Sequence, residues 1–323
     1  MPKKVPLLKR IRQICSNKLC LLNQRYRNVY WLLGDGRSGT TWIASLLNSD
    51  QRLREMFEPF HPWEVREAAQ FSANMYVRPC ASYPELRHFC QQTFEGKISS
   101  SWIDKDNHRL LYDGLLVKDI FANLMASWAC RQFDFVKPVL LVRNPLAVAA
   151  SKNKTRHWHW QSSTLEFFAD EKLVEDYLRP FEALAEHVHK KHDYFLTQVF
   201  NWCVIHFVLF QQLDFERVPV IFYEDVYLNP HQQISRLREQ LGMPDSQVDN
   251  ELITRASRVS FGASAILNNQ HPLVYWRSQV SEMQMVMSKT ILYEFGLQQV
   301  YPDLILPGET PWASFDTRRE VCG

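Results

Sequence analysis

The 323-residue chain has only ten glycines, no Pro/Gly/Ser linker, no low-complexity tract and no internal repeat. With so little flexible punctuation, residues 28–323 are expected to form one continuous domain. Long hydrophobic runs are also missing. A membrane-spanning helix needs about 18 or more consecutive apolar residues. The nearest approach, Val199 to Leu213, is interrupted by Asn201, His206, Gln211 and Gln212, and reads as a buried helix. An excess of one charge is absent as well. Thirty-seven Lys and Arg against 35 Asp and Glu leave a formal charge of +2, which gives no reason to expect a nucleic-acid partner. Any basic site must therefore be local. The seven cysteines, Cys15, Cys20, Cys80, Cys90, Cys130, Cys203 and Cys322, form no C-x-x-C pair and no zinc spacing. An odd, scattered set reads as reduced thiols in a cytoplasmic protein and leaves an oxidising compartment open.

The first 27 residues are basic, with leucines at Leu7, Leu8, Leu19, Leu21 and Leu22. They lack a continuous apolar core and a small-residue cleavage site, so they do not read as a signal peptide. Two readings fit such a leader: a frayed, solvated terminus, and an amphipathic segment lying peripherally on a membrane.

What the chain does have is apolar bulk, with 46% hydrophobic and 13% aromatic residues, enough for a large core. Short apolar runs at Val29–Leu33, Arg54–Phe57, Leu115–Lys118, Val139–Val142 and Val218–Tyr223 read as strands. Helical patterns at Thr40–Asn48, Ile120–Arg131, Pro145–Lys154 and His231–Leu241 follow most of them, and longer ones cover Glu166–His189, Tyr194–Leu213 and Val280–Phe295. Strands alternating with helices predict an α/β fold of three layers, its central, mostly parallel sheet flanked by helices. Ligands in such sheets sit at the carboxyl ends of the strands.

One such end is Trp31-Leu-Leu-Gly-Asp-Gly-Arg-Ser-Gly-Thr-Thr-Trp42. A strand, a phosphate-sized loop and a helix N-terminus follow one another, so backbone N–H groups and the positive dipole end converge there. Gly34, Gly39 and Thr41 match G-x-x-x-x-G-K-[ST], but Thr40 stands where the lysine belongs and the positive charge has moved to Arg37. The loop is thus poorly built to grip a β/γ-phosphate and better suited to a nucleotide with a smaller anionic end. A second end is Val139-Leu-Leu-Val-Arg-Asn-Pro-Leu-Ala-Val-Ala-Ala-Ser151. The strand delivers Arg143 at its tip, Asn144 is a good N-cap, Pro145 takes the first helical position, and Ser151 adds a hydroxyl. The rigid fork of Arg143 suits a phosphate. Two anion sites on one sheet point to a ligand with two separated phosphates.

Together these segments resemble the sulfotransferases that use 3′-phosphoadenosine 5′-phosphosulfate (PAPS), whose fold is P-loop-like. Arg37-Ser-Gly-Thr-Thr-Trp42 is similar to the family's 5′-phosphosulfate loop, and Arg143-Asn-Pro through Ser151 to its 3′-phosphate motif. Val220-Ile-Phe-Tyr-Glu-Asp-Val-Tyr-Leu-Asn-Pro230 and Tyr275-Trp-Arg-Ser-Gln-Val-Ser281 resemble two later family segments. The resemblance covers roughly Tyr30 to Gly296. It implies that Arg37, Ser38, Gly39, Thr40 and Thr41 hold the 5′-phosphosulfate, that Trp42 lies against adenine, and that Arg143 and Ser151 hold the 3′-phosphate. One departure stands out. Where small-molecule members carry R-K-G before the late tryptophan, this chain has Asn268-Asn-Gln-His-Pro272, which leaves two expectations: amide donors replace those charges, or the loop closes differently on the cofactor.

Sulfuryl transfer needs an in-line acceptor, a base, and positive charge on the departing oxygen. Lys118 stands where small-molecule members have the lysine of K-T-H and is expected at the bridging oxygen. The histidine of that triplet is missing, because Asp119 and Ile120 follow. Phe57-Glu-Pro-Phe-His-Pro62 resembles a segment of carbohydrate sulfotransferases, which makes Glu58 the first candidate base, His61 the second and Asp119 the third. A sulfuryl group carries less charge than a phosphoryl group, so no metal is expected. The acceptor is expected to be a hydroxyl or amine on a carbohydrate, lipid or small molecule. His157-Trp-His-Trp160 reads as an acceptor-stacking segment or as plain aromatic packing. The alternatives are a nucleotide kinase or hydrolase, and a non-catalytic nucleotide-binding protein.

Overall fold

Five apolar segments pair into one parallel sheet in the order β2-β3-β1-β4-β5. They are β1 (Val29–Gly34), β2 (Leu53–Phe57), β3 (Gly114–Lys118), β4 (Val136–Val142) and β5 (Val220–Phe222). The computed structural model describes Tyr26, residues 28–254 and residues 271–309. Apart from Tyr26, the basic leader lies outside the described residues, as do residues 268–270. Along β1, Val29, Trp31 and Leu33 enter one hydrophobic cluster while Tyr30 and Leu32 enter another. Successive side chains of a strand point to opposite faces, so both faces are buried and the three-layer α/β expectation is met.

β4 starts three residues earlier than expected, because Pro138 is tolerated inside it. The Leu140 N–H, on the same side as the Pro138 nitrogen, bonds toward Pro219 at 3.0 Å, and β5 begins pairing only at Leu140. The missing N–H of Pro138 thus faces an edge with no strand beside it.

Helices α1 (Thr40–Leu47) and α4 (Pro145–Lys154) lie where the loop motifs require them. Between them are α2 (Pro84–Phe94), which has no counterpart among the expected helices, and α3 (Ala126–Gln132). The expected Glu166–His189 helix is broken. A turn capped by Ser163, a short helix capped by Asp170, a π-helical stretch Val174–Leu178 and a 3-10 turn Arg179–Phe181 precede α5 (Glu182–Lys190). Pro180 supplies no N–H to a continuing ladder, which forces the change of helix type.

The chain continues through α6 (Tyr194–Gln212), α7 (Tyr223–Leu228), α8 (Pro230–Gln240) and α9 (Glu282–Glu294). Helix α6 is long and apolar enough to cross a membrane by length and composition, yet 83% of its apolar 18-residue stretch is buried in the protein. Its His206 is fully buried, with Nδ1 2.8 Å from the Trp202 carbonyl, and burial lowers its pKa to about 4. The thiol expectation needs correction. Cys90, Cys130 and Cys203 are free, but Cys80 is disulfide-bonded.

Candidate active site

The carboxyl ends of β1, β2, β3 and β4 open into one cavity of about 630 Å³, well inside the range of small-ligand pockets. Arg37, Gly39, Thr40, Thr41, Trp42, Glu58, His61, Lys118, Arg143 and Ser151 all line it. Ser38 and the third candidate base, Asp119, lie outside that lining; the Ser38 hydroxyl is buried. Residues scattered over 115 positions are therefore brought together because parallel strands all end on the same edge of the sheet.

The phosphate loop is held from several sides. The Ser38 N–H donates to the Asp35 carbonyl (3.1 Å), and Gly39 turns with φ 94° to launch α1. A Cβ on Gly39 would stand 2.7 Å from the Tyr223 ring, so both conformation and space require glycine there. Asp35 forms a buried ion pair with Lys152 of α4 (2.7 Å). Arg37 takes a left-handed φ of 70°, donates from Nε to Ser151 Oγ (2.9 Å), and stacks over Trp158 at 4.9 Å. Burial first, and then the charge of Arg143, lower its pKa to about 10. Two cations held this close in a dry cleft favour an anion between or beside them.

Arg143 donates to the Arg37 carbonyl (3.0 Å) and lies over the Tyr223 ring at 4.0 Å. Asn144 caps α4 as expected, accepting from the N–H groups of Leu146 (2.9 Å) and Ala147 (3.1 Å). Trp42 packs on Tyr223 with ring centroids 5.3 Å apart and donates to the Leu252 carbonyl (3.1 Å). Two buried polar atoms here have no partner, Ser38 Oγ and Arg143 Nε. Unpaired buried groups in a native fold call for an explanation, and at Arg143, which lines the cavity, an anion is the partner its free N–H suits.

On the other side of the cavity Glu58 and Lys118 form a buried ion pair. The Glu58 backbone is left-handed, φ 46°, and its N–H bonds the Lys118 carbonyl (2.7 Å), which fixes the carboxylate over the end of β3. His61 sits among the rings of Phe121, Trp102 and Trp63, with centroids at 4.6, 5.1 and 5.6 Å. Its Nδ1 accepts from the Trp63 N–H (3.3 Å), which leaves the ring proton on Nε2. Burial lowers its pKa, outweighing the attraction of Glu58. Asp119 does not line the cavity. It accepts from the N–H groups of Phe60 (2.9 Å), Phe121 (2.6 Å) and Ala122 (3.1 Å), tying two loops together.

A family model described as the sulfotransferase family matches residues 31–247, the span that contains both anion loops and the Glu58–Lys118 pair. The chain belongs to the sulfotransferase family. Among solved structures, this sulfotransferase is similar to the sulfotransferase domain of the Synechococcus PCC 7002 olefin synthase, at 14% identity over 84% of this chain and 95% of that one, with a TM-score of 0.46. A sulfotransferase domain from the curacin biosynthetic pathway is 16% identical over 84% and 98% of the two chains (TM-score 0.45). A sulfotransferase from Alicyclobacillus acidocaldarius is 15% identical over 78% and 99% (TM-score 0.38). No curated protein matches.

Family membership removes the kinase reading and implies a sulfuryl donor. No cluster of three or more His, Cys, Asp or Glu that could hold a metal occurs among the described residues. The sequence reading missed several residues of this sulfotransferase's cavity. Tyr223 is its inner wall, and Lys105, Lys154 and Tyr275 also line it. The Y-E-D run pointed to Tyr223 and Glu224 but not to their separate tasks. Tyr223 faces the cavity, whereas Glu224 is buried and accepts from the Asn144 N–H (3.0 Å) and the Tyr301 hydroxyl (2.8 Å). The tryptophans of the 157–160 segment belong to the loop: Trp158 carries Arg37, and Trp160 lies against Gly36.

Proposed function

We propose that this sulfotransferase takes the sulfuryl group of PAPS and passes it to a hydroxyl or amine, with a saccharide as the first acceptor class. The observation that carries this reading is the cavity itself, lined by the loop's Arg37 and by Arg143, whose buried Nε at the tip of β4 has no partner. The two arginines fit a ligand with one anionic group at the loop and a second at the tip of β4. Trp42 and Tyr223 offer aromatic surface beside them for a base.

In this reading Lys118 neutralises charge on the bridging oxygen as the bond to sulfur breaks, and Glu58 takes the acceptor proton. The buried pair supports that division of labour, since each ion makes the other tolerable away from water. His61, with its proton on Nε2, is better suited to donate a hydrogen bond to the acceptor than to act as base. Asp119 is occupied by three backbone donors. The disulfide at Cys80 favours an oxidising compartment over the cytoplasm.

The test is calorimetry with 3′,5′-bisphosphoadenosine. Arg143→Ala should lose about 2–5 kcal/mol of binding, the usual cost of removing one partner of a desolvated charge pair. Unchanged affinity would remove the bisphosphate reading. Labelled PAPS offered to saccharide, lipid and small hydroxyl acceptors then identifies the acceptor class.

A further inference from the structure

We infer that Lys154, together with the hydroxyl of Tyr275, completes the site for the nucleotide's second, 3′-phosphate group; this rests on the bisphosphate reading above. Lys154 is the last residue of α4 and lies three positions after Ser151, so the two share a helix face. Both line the cavity with Arg143. The Lys154 ammonium stands 3.4 Å from the Tyr275 hydroxyl and 4.5 Å above its ring. Tyr275 opens the short turn Tyr275–Gln279, so the contact joins the late segment of the chain to the helix of the anion site.

Charge shows why a second cation is needed. A phosphomonoester carries nearly two negative charges at neutral pH, and Arg143 supplies one positive charge. Arg37 reaches α4, bonded to Ser151 and stacked on Trp158, but its single charge must also serve the 5′-phosphosulfate at its own loop. Ser151 itself lies in the last turn of α4, where the carbonyl end of the helix is negative and repels an anion. A lysine at that end offsets both the dipole and the second phosphate charge. Its stacking on Tyr275 holds the long side chain over the cavity at little further entropic cost.

The experiment compares two nucleotides on the full chain by calorimetry. One is 3′,5′-bisphosphoadenosine and the other is adenosine 5′-monophosphate, which lacks only the 3′-phosphate. Lys154→Met should weaken the bisphosphate about ten- to a hundredfold, the usual worth of a hydrogen bond to a charged group, and leave the monophosphate within about twofold. Lys154→Arg should keep most of the bisphosphate affinity. Tyr275→Phe should shift it in the same direction as Lys154→Met, but less.

Equal weakening of both nucleotides, or none of either, would overturn the assignment. Retained monophosphate binding reports an intact fold, and Lys154→Gln carries the same comparison if the methionine variant does not fold. A wild-type chain that binds both nucleotides equally would instead reject the bisphosphate reading, so the two failures are distinguishable.

Discussion

Glu58 and Lys118 share one buried ion pair, so the choice of substitution decides what is learned from it. Glu58→Ala would strand a buried ammonium and confuse folding with chemistry. Glu58→Gln keeps the shape and an acceptor for Lys118 while removing the basicity. Turnover of Glu58→Gln should fall about 10²–10⁴-fold, the usual worth of a positioned base, with bisphosphoadenosine affinity nearly unchanged. Single-turnover sulfate transfer measures the first quantity and calorimetry the second. A near-normal Glu58→Gln beside an inactive His61→Ala would move the base to His61. The sequence placed Glu58 and Lys118 in the same site only through the family resemblance. Their direct contact was not readable, because 60 residues of chain separate them and nothing local says that β2 pairs with β3. Their meeting depends on Phe57 and Lys118 standing in register between β2 and β3.

At the scale of elements, the loop between β1 and α1 is the part most faithfully written in the sequence. Its shape is set locally by a buried strand, a left-handed glycine and a helix start. Gly39→Ala should therefore be costly in two ways. The residue sits at φ 94°, and the new methyl group would meet the Tyr223 ring at 2.7 Å. A loss of about 1–3 kcal/mol of stability is expected from the backbone conformation alone, together with weaker nucleotide binding as Tyr223 is pushed aside. Urea unfolding and nucleotide titration check the two parts. A fully stable, tightly binding Gly39→Ala would mean that this loop tolerates a right-handed backbone. The 166–189 region shows the opposite case. Its apolar spacing suggested one helix, yet Asp170 caps a new start and Pro180 interrupts the hydrogen-bond ladder. Those local signals override the apolar periodicity. Pro138 misled in the other direction, since only the short pairing of β5 explains why a strand accepts it.

Over the whole molecule, buried carboxyls and a buried histidine pull the pH dependence of stability in opposite directions. Burial raises Asp119 from 3.8 to about 7, despite its three N–H donors. Between those values the folded chain keeps a proton that the unfolded chain has released, so this group's contribution declines as pH rises from about 4 to 7. Glu224, raised to about 6 by burial, acts in the same sense. His206, lowered from 6.5 to about 4, acts in the opposite sense, because the unfolded chain holds the extra proton. Subtracting the urea stability curve of Asp119→Asn isolates the carboxyl. Wild type should lose ground against the variant from pH 4 to 7 and run parallel above that. Wild type gaining on the variant over this range would show that the three N–H donors outweigh burial.

The sequence by itself determined the alternation of strands and helices, the buried sheet, the phosphate loop and the capped helix after Arg143. Each of these rests on contacts within a few residues: periodicity, glycine conformation, an N-cap. Only the tertiary structure decided that Tyr223 would wall the cavity beside Arg143, that Trp158 and Trp160 would brace the loop, and that Lys154 would meet Tyr275. It also decided which thiol is oxidised. Cys80 looks no different from Cys90 or Cys130 in the chain, and only Cys80 of the three is disulfide-bonded. Such partners are set by strand order and helix packing across more than a hundred residues, where local spacing carries no information about what lies opposite.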